Sequence, residues 1–180
     1  MREFGSGNAG ATNTFRVLGK KAGIPVLLMD VLKGVAAVAL ATFSDFTSHS
    51  TPLINYQIAI GIAAVLGHIF PLFAGFRGGK GVATLLGVAM AIQPIGACMA
   101  LGVFLIMLFA FRYVSLASMS AGLSFPFIVL VVLHNSPVSL ILFSFMVAAL
   151  LIITHKKNIQ RLLKKQEPKV NLKPSKVKAK

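Results

Sequence analysis

The sequence predicts an all-α integral membrane protein, a polytopic helical bundle of six transmembrane segments with Gly-rich loops. Three observations carry this. Of 180 residues, 56% are hydrophobic and the mean hydropathy is +0.83. Only 12% are charged, where a soluble domain carries about a quarter. The basic residues cluster between long apolar runs: 18 Lys and Arg stand against 4 Asp and Glu, a net charge of +14. An ordinary cytosolic globule is thereby excluded. The single Cys98 excludes a disulfide framework or a cysteine-built zinc cage. The four histidines, His49, His68, His134 and His155, lack metal-ligand spacing, and no metal or cofactor is expected. In so apolar a chain the positive charge points to anionic lipid or an anionic substrate rather than nucleic acid. The opening MREFGSGNAG has no apolar core of the kind a secretory signal needs.

A spanning helix takes roughly 17–25 mostly apolar residues. The first such run is Ile24 to Phe43, followed by the polar SDFTSHST; the second is Leu53 to about Phe70. PLFAGFRGGKG is too Gly-rich and basic to cross lipid. From Val82 to Phe111 the chain is apolar but broken at Gln93-Pro94-Ile95-Gly96, which predicts a short helix, a turn and a second helix. The short arm, roughly 18 Å long, cannot cross a flat bilayer alone and is expected to start deep, under a re-entrant loop. Leu116 to Leu133 is the fifth segment, HNSP a turn, and Val138 to Thr154 the sixth. The expected division is a single transmembrane domain over 1–155 and a basic, frayed tail over 156–180.

Charge parity orients the bundle. With a cytoplasmic N-terminus, residues 1–23, the 71–81 loop, Arg112–Ser115 and the tail all fall inside, and they hold every Lys and Arg except Lys33. The outer connections 44–52, 93–96 and 134–137 hold none. This is the positive-inside pattern, and it puts three polar segments on one face, where they can build one site.

The first segment runs from Gly5 to Arg16. Its small residues let the backbone turn several N–H groups to one point, Ser6, Gly7, Asn8 and Asn13 add polar groups, and Arg16 adds a planar fork suited to phosphate. A flexible loop with a surface arginine is the plainer account. The second, Gly67 to Thr84, lacks the spacing of a Walker A loop. It still feeds a Gly-rich turn, Gly78-Gly79-Lys80-Gly81, into a helix N-terminus, where free N–H groups and the helix dipole attract an anion. This favours an anion site over a mere basic anchor. In the third, beginning at His155, helical spacing puts His155, Asn158 and Leu162 on one face, with Arg161 a turn from Asn158. His155 stands where the last span leaves lipid, a place for a proton acceptor or a phosphate donor. Lys164, Lys165 and the later lysines read as a juxtamembrane stretch for anionic lipid.

Asp30 and Lys33, three apart within the first span, are spaced so that they can pair on one helix face; such depth marks a functional site or, equally, an ion pair facing the bundle interior. His68 reads equally as a packing or a functional histidine. Ser115, Ser118 and Ser120 read as helix-packing hydroxyls or as lining of the same site. Cys98, the methionines and the phenylalanines read as lipid-facing or core filler.

SGNAGATNTFR, GHIFPLFAGFRGGKGVAT and HKKNIQRLL–EP, with RYVSLAS at 112–118, resemble in order the motifs of the bacterial acyl-phosphate:glycerol-3-phosphate acyltransferases, the PlsY family. The resemblance implies transfer of a fatty acyl group from acyl phosphate to glycerol 3-phosphate, giving lysophosphatidic acid and phosphate, the first step of phospholipid biosynthesis. It implies a multi-pass enzyme of the bacterial cytoplasmic (inner) membrane, with its site and C-terminus cytoplasmic, working beside an enzyme that forms acyl phosphate. The donor is already activated, so neither an enzyme nucleophile nor a metal is implied. Ser6, Arg16, Lys80, Ser118, His155 and Asn158 match residues that hold the two substrates. Arg16 and Lys80 are expected on phosphates and the developing charge, and His155 and Asn158 on glycerol 3-phosphate. Gly7, Asn8, Asn13, His68, Gly78, Gly79, Gly81 and Arg161 are expected to support binding. The hydroxyl proton goes to His155 or to a phosphate oxygen. Family members carry a further helix ahead of the first motif, seven spans in all; here Met1 falls directly before that motif, and six are expected. The other readings are a small transporter of anionic phosphate esters, or a paralogue that only binds anionic lipid.

Overall fold

The computed structural model describes residues 3–48, 50–134 and 136–170. His49, Asn135 of the expected HNSP turn, and the lysines of 171–180 lie outside the described residues. Every regular element among the described residues is helical.

A short helix α1 (Ala11–Leu18) leads into α2 (Lys20–Ala39), which runs on as a 3-10 turn to Phe43. Then come α3 (Thr51–Ile69), α4 (Val82–Ile92), α5 (Pro94–Phe111), α6 (Val114–Phe127), α7 (Val138–Thr154) and α8 (Lys156–Leu163). The expected break is where the sequence places it: Gln93 leaves helical geometry and Pro94 starts α5, where its missing N–H costs nothing. Pro126 near the end of α6 removes a donor, and the last turns, Ile128–Val132, widen into a π-helix.

Among the described residues, four stretches are long and apolar enough to cross a membrane: Lys20–Phe43, Thr51–Ala74, Pro94–Phe111 and Val114–Val132. Helix α7 turns by 60° into α8, and together they make a fifth candidate. Helix α4, with 11 residues, is about 16 Å long, roughly half a hydrocarbon core. It is short because it begins beside the site and ends at the Gln93 break.

Lipid offers helices no hydrophobic reason to associate, so close backbone approach has to hold them. Helices α2 and α4 meet through glycines. A Cβ added at Gly34 would stand 2.3 Å from the Thr84 carbonyl oxygen, and one at Gly87 2.1 Å from that of Val31. Gly61 admits Val88, and Gly122 admits Leu151. Around these contacts a core of Val38, Val65, Leu85, Val88, Phe125, Val129, Phe143 and Leu151 closes, with α2–α4 on one side and α5–α7 on the other. Met29, Ile106, Leu142 and Ile153 stay exposed on the outer faces, as lipid-facing side chains do.

The alternation of helix directions brings one set of ends together: the starts of α2, α4 and α6 and the finishes of α3, α5 and α7. The site lies there.

Candidate active site

One cavity of about 290 Å³ opens at this end. Its polar walls come from the first loop and α1 (Ser6, Asn8, Arg16), the start of α4 (Lys80, Gly81), α6 (Ser115, Ser118) and the C-terminal segment (His155, Asn158, Glu167). It continues between the helices along an apolar wall of Leu85, Ala89, Ala97, Phe104, Phe125 and Val147. Residues as remote in sequence as Ser6, Lys80, Ser118 and Asn158 therefore share one chamber.

The first loop is shaped from within. The buried Asn13 accepts from the Ser6 backbone N–H at 2.8 Å and donates to the Phe4 carbonyl at 3.0 Å. Asn8 accepts from the Gly10 N–H at 2.9 Å. Asn13, expected to meet substrate, thus has both ends of its amide on the loop's own backbone. Arg16 lines the cavity without an ion pair or hydrogen bond among the described residues.

The Gly-rich loop corrects one expectation. The N–H groups of Gly78 and Gly79 were expected to face an anion; they bond instead to the carbonyls of Ile69 (3.0 Å) and His68 (3.2 Å). Neither glycine lines the cavity. A Cβ at Gly78 would lie 1.9 Å from the His68 carbonyl oxygen, and one at Gly79 2.1 Å from His68 Nε2. These glycines are there because the end of α3 presses against the loop. Gly81 does line the cavity. Its φ of +80° turns the chain into α4 without a side-chain cap, so the uncapped first turn (Val82, Ala83) borders the chamber.

Lys80 donates to Asn158 Oδ1. The Asn158 amide then donates to Glu167 Oε1 at 2.6 Å, and Ser115 Oγ donates to the same oxygen at 2.7 Å. Arg161 Nε donates to Glu167 Oε2 at 2.7 Å. Asn158 and Arg161 do lie on neighbouring turns, but the residue they share is Glu167, which the motif reading left without a role. Its signal was rarity: it is one of four acidic residues in a strongly basic chain. Arg161 does not itself line the cavity, nor does Gly7. The site also crosses the expected boundary at 155/156. Beyond α8 the chain folds back, Val170 donates to the Arg112 carbonyl at 2.8 Å, and Lys169 lies 5.3 Å from the Tyr113 ring centre.

The charges fall in a definite order. Burial lowers the Lys80 ammonium to a pKa of about 8, with Arg161 and Arg16 adding repulsion and Glu167 opposing it. The three donors hold the Glu167 carboxyl below its ordinary value against the cost of burial. His155, 2% exposed just past the end of the α7 span, is lowered to about 4 by burial and then by the Lys80 charge. Its Nδ1 lies 2.8 Å from the Leu151 carbonyl, which only accepts, so Nδ1 carries the proton. Nε2 is left as an acceptor in a residue lining the chamber. Ser118 Oγ donates to the Val114 carbonyl at 2.9 Å, and its lone pairs remain available. His68 and Asp30 line the inner wall, where Asp30 pairs with Lys33 at 2.6 Å.

A family model described as glycerol-3-phosphate acyltransferase matches residues 1–165. A protein of that name from Chlorobium phaeobacteroides (strain BS1) is 42% identical over 200 residues, covering 94% of this chain and 84% of the relative. One from Chlorobaculum parvum is 43% identical over 190 residues, covering 90% and 81%. The crystal structure of PlsY (YgiH), an integral membrane glycerol 3-phosphate acyltransferase, in its glycerol 3-phosphate form superposes with a TM-score of 0.82 at 40% identity, covering 94% of this chain and 82% of that one. Its lysophosphatidic acid form gives 0.79 at 40% identity, covering 92% and 81%.

Proposed function

The chain belongs to the glycerol-3-phosphate acyltransferase family and is a multi-pass membrane enzyme that acylates glycerol 3-phosphate from acyl phosphate, and we propose that the chamber at the end of the bundle performs this transfer with the residues that line it. One observation carries the proposal. A single cavity joins a cationic polar end, Arg16 and Lys80, to an apolar channel between α4 and α7. That shape suits a substrate with a phosphate head and a hydrocarbon tail.

Arg16, Lys80 and the first turn of α4 hold the acyl phosphate and take up the charge that gathers as the acyl–phosphate bond breaks. The tail lies along Leu85, Ala89 and Phe125. Asn158, with Ser118 and Ser6, holds glycerol 3-phosphate near His155. A hydroxyl oxygen of glycerol 3-phosphate attacks the acyl carbon. The carbon–oxygen bond to phosphate then breaks, and phosphate leaves with the electron pair. His155 Nε2 accepts a hydrogen bond from the attacking hydroxyl and fixes its direction. With a pKa of about 4 the ring is a weak base, while a phosphate oxygen has a second pKa of about 6. The proton therefore passes to phosphate. Gly78, Gly79 and Arg161 act behind the contact surface, by shaping the loops and by holding Glu167, while Asn13 lines the chamber and shapes the first loop.

Six crossings and a cytoplasmic site are supported by the one-sided distribution of Lys and Arg, and the cytoplasmic (inner) membrane by the resemblance of the motifs. Acyl phosphate hydrolyses readily, so an enzyme forming it nearby is the natural partner. The test is phosphate release by the purified 180-residue protein with palmitoyl phosphate, with and without glycerol 3-phosphate. Release that requires both substrates and is strongly reduced in Lys80→Ala supports the reading. Release without glycerol 3-phosphate, or undiminished in Lys80→Ala, overturns it.

A further inference from the structure

Three ionisable side chains sit together outside the network around Glu167. Asp30 and Lys33 come from the middle of α2 and His68 from the last turn of α3. Lys33 Nζ lies 2.6 Å from Asp30 Oδ1, His68 Nδ1 lies 3.4 Å from the same oxygen, and Lys33 Nζ lies 3.3 Å from His68 Nδ1. The side chains of Asp30 and His68 are each 8% exposed, that of Lys33 44%. In either tautomer the imidazole is tethered through the same nitrogen, and its opposite edge is thereby directed. That edge meets the backbone: a Cβ at Gly79 would stand 2.1 Å from His68 Nε2 and 2.8 Å from Cε1. The His68 carbonyl takes the Gly79 N–H at 3.2 Å, and the Ile69 carbonyl takes that of Gly78 at 3.0 Å. The next residue is Lys80. The ring is wedged between a carboxylate on one helix and the glycine that carries the lysine's backbone.

We propose that Asp30 is a positioning residue for acyl transfer, setting the orientation of the His68 ring and, through its contact with Gly79, the place of the Lys80 ammonium. The inference rests on the reading of Lys80 as a phosphate ligand. The physics favours it. Burying a carboxylate is expensive, and an ion pair wanted only for adhesion is replaceable by apolar packing with little loss. A tethered imidazole against a Cβ-less residue fixes both a direction and a distance, which apolar packing supplies poorly. Lys33, 2.6 Å from Asp30 Oδ1, holds that carboxyl group in place beside the ring.

The experiment measures phosphate release in Asp30→Asn, His68→Gln, Lys80→Ala and the double variants, with monodispersity checked for each. A misplacement near 1 Å at a reacting centre costs up to about 100-fold in rate. Asp30→Asn and His68→Gln are each expected to lower turnover by about 10- to 100-fold. Combined with each other, or with Lys80→Ala, they are expected to add little, because they act through one element. Asp30→Glu, which keeps the carboxylate, is expected to recover part of the loss. Multiplicative losses with Lys80→Ala, or full turnover in Asp30→Asn, overturn the inference. Misfolding of both single variants also overturns it, since the cluster would then be packing alone. Full activity of Lys80→Ala by itself overturns the reading of Lys80, and that single variant identifies such a failure.

Discussion

Replacing Glu167 by Gln removes one charge and almost no volume, and the hydrogen bonds around it leave the new amide without a good placement. Oε1 accepts from Ser115 and Asn158, and Oε2 accepts from Arg161. If the amide oxygen keeps the Oε1 position, the NH₂ group faces Arg161 Nε, donor against donor. If the amide is reversed, NH₂ faces the Asn158 amide. Asn158 cannot flip in response, because its own oxygen holds Lys80. The first placement costs least: it loses one charge-assisted hydrogen bond, about 1.5–3 kcal/mol. Arg161 is a third exposed and turns partly to water, which brings the expected cost to about 2 kcal/mol. At a few degrees per kcal/mol for a chain of this size, the melting temperature falls by about 4–8 °C. Glu167→Ala leaves three donors unpaired and is expected to cost more, about 3–5 kcal/mol. Thermal unfolding of the detergent-solubilised variants near pH 7, alongside phosphate release, reads both. The Glu167 carboxyl titrates below its ordinary value in the fold. Its stabilisation is therefore complete above the unfolded pKa of about 4.3 and fades as pH falls through the folded one, and the gap between wild type and Glu167→Gln closes in acid. Equal melting of wild type and Glu167→Ala at pH 7, or a gap that widens in acid, would refute the reasoning.

Other expectations follow from the same geometry. With a Lys80 pKa of about 8, kcat/KM falls as pH rises through that value and the ammonium loses its proton; Lys80→Arg, less active, loses this limb because guanidinium does not titrate there. His155→Ala is expected to lower turnover about 100-fold without creating a new pH limb near neutrality, whereas unchanged turnover would remove His155 from the hydroxyl. Gly34→Ala puts a methyl 2.3 Å from the Thr84 carbonyl oxygen; it is expected to cost about 1–3 kcal/mol by parting α2 from α4, seen as a lower melting temperature or as aggregation on size exclusion.

Much of the helical layout is visible in the residues alone. Apolar runs and their interruptions are local properties, so Val138–Thr154 and the break at Gln93–Pro94 need no knowledge of neighbours. The same holds for Gly81 at the start of α4 and for the pairing of Asp30 with Lys33, which lie one helical turn apart. Motif order also groups Arg16, Lys80, His155 and Asn158, and all four line the one cavity. The roles of Gly78 and Gly79 were not legible. A glycine beside a lysine reads as a donor to an anion, and only the arrival of the α3 end shows that their N–H groups go to Ile69 and His68.

By itself the sequence determined that this chain lives in lipid, where it breaks, and which segments are too polar to stay there, because hydropathy and backbone chemistry are written residue by residue. The tertiary structure alone decided what those polar segments do to one another. Glu167 becomes the partner of Ser115, 52 positions away, and Lys80 that of Asn158, 78 positions away. The physical reason is that a hydrogen bond needs two groups within about 3 Å, and such distances between remote positions are set by how the helices pack.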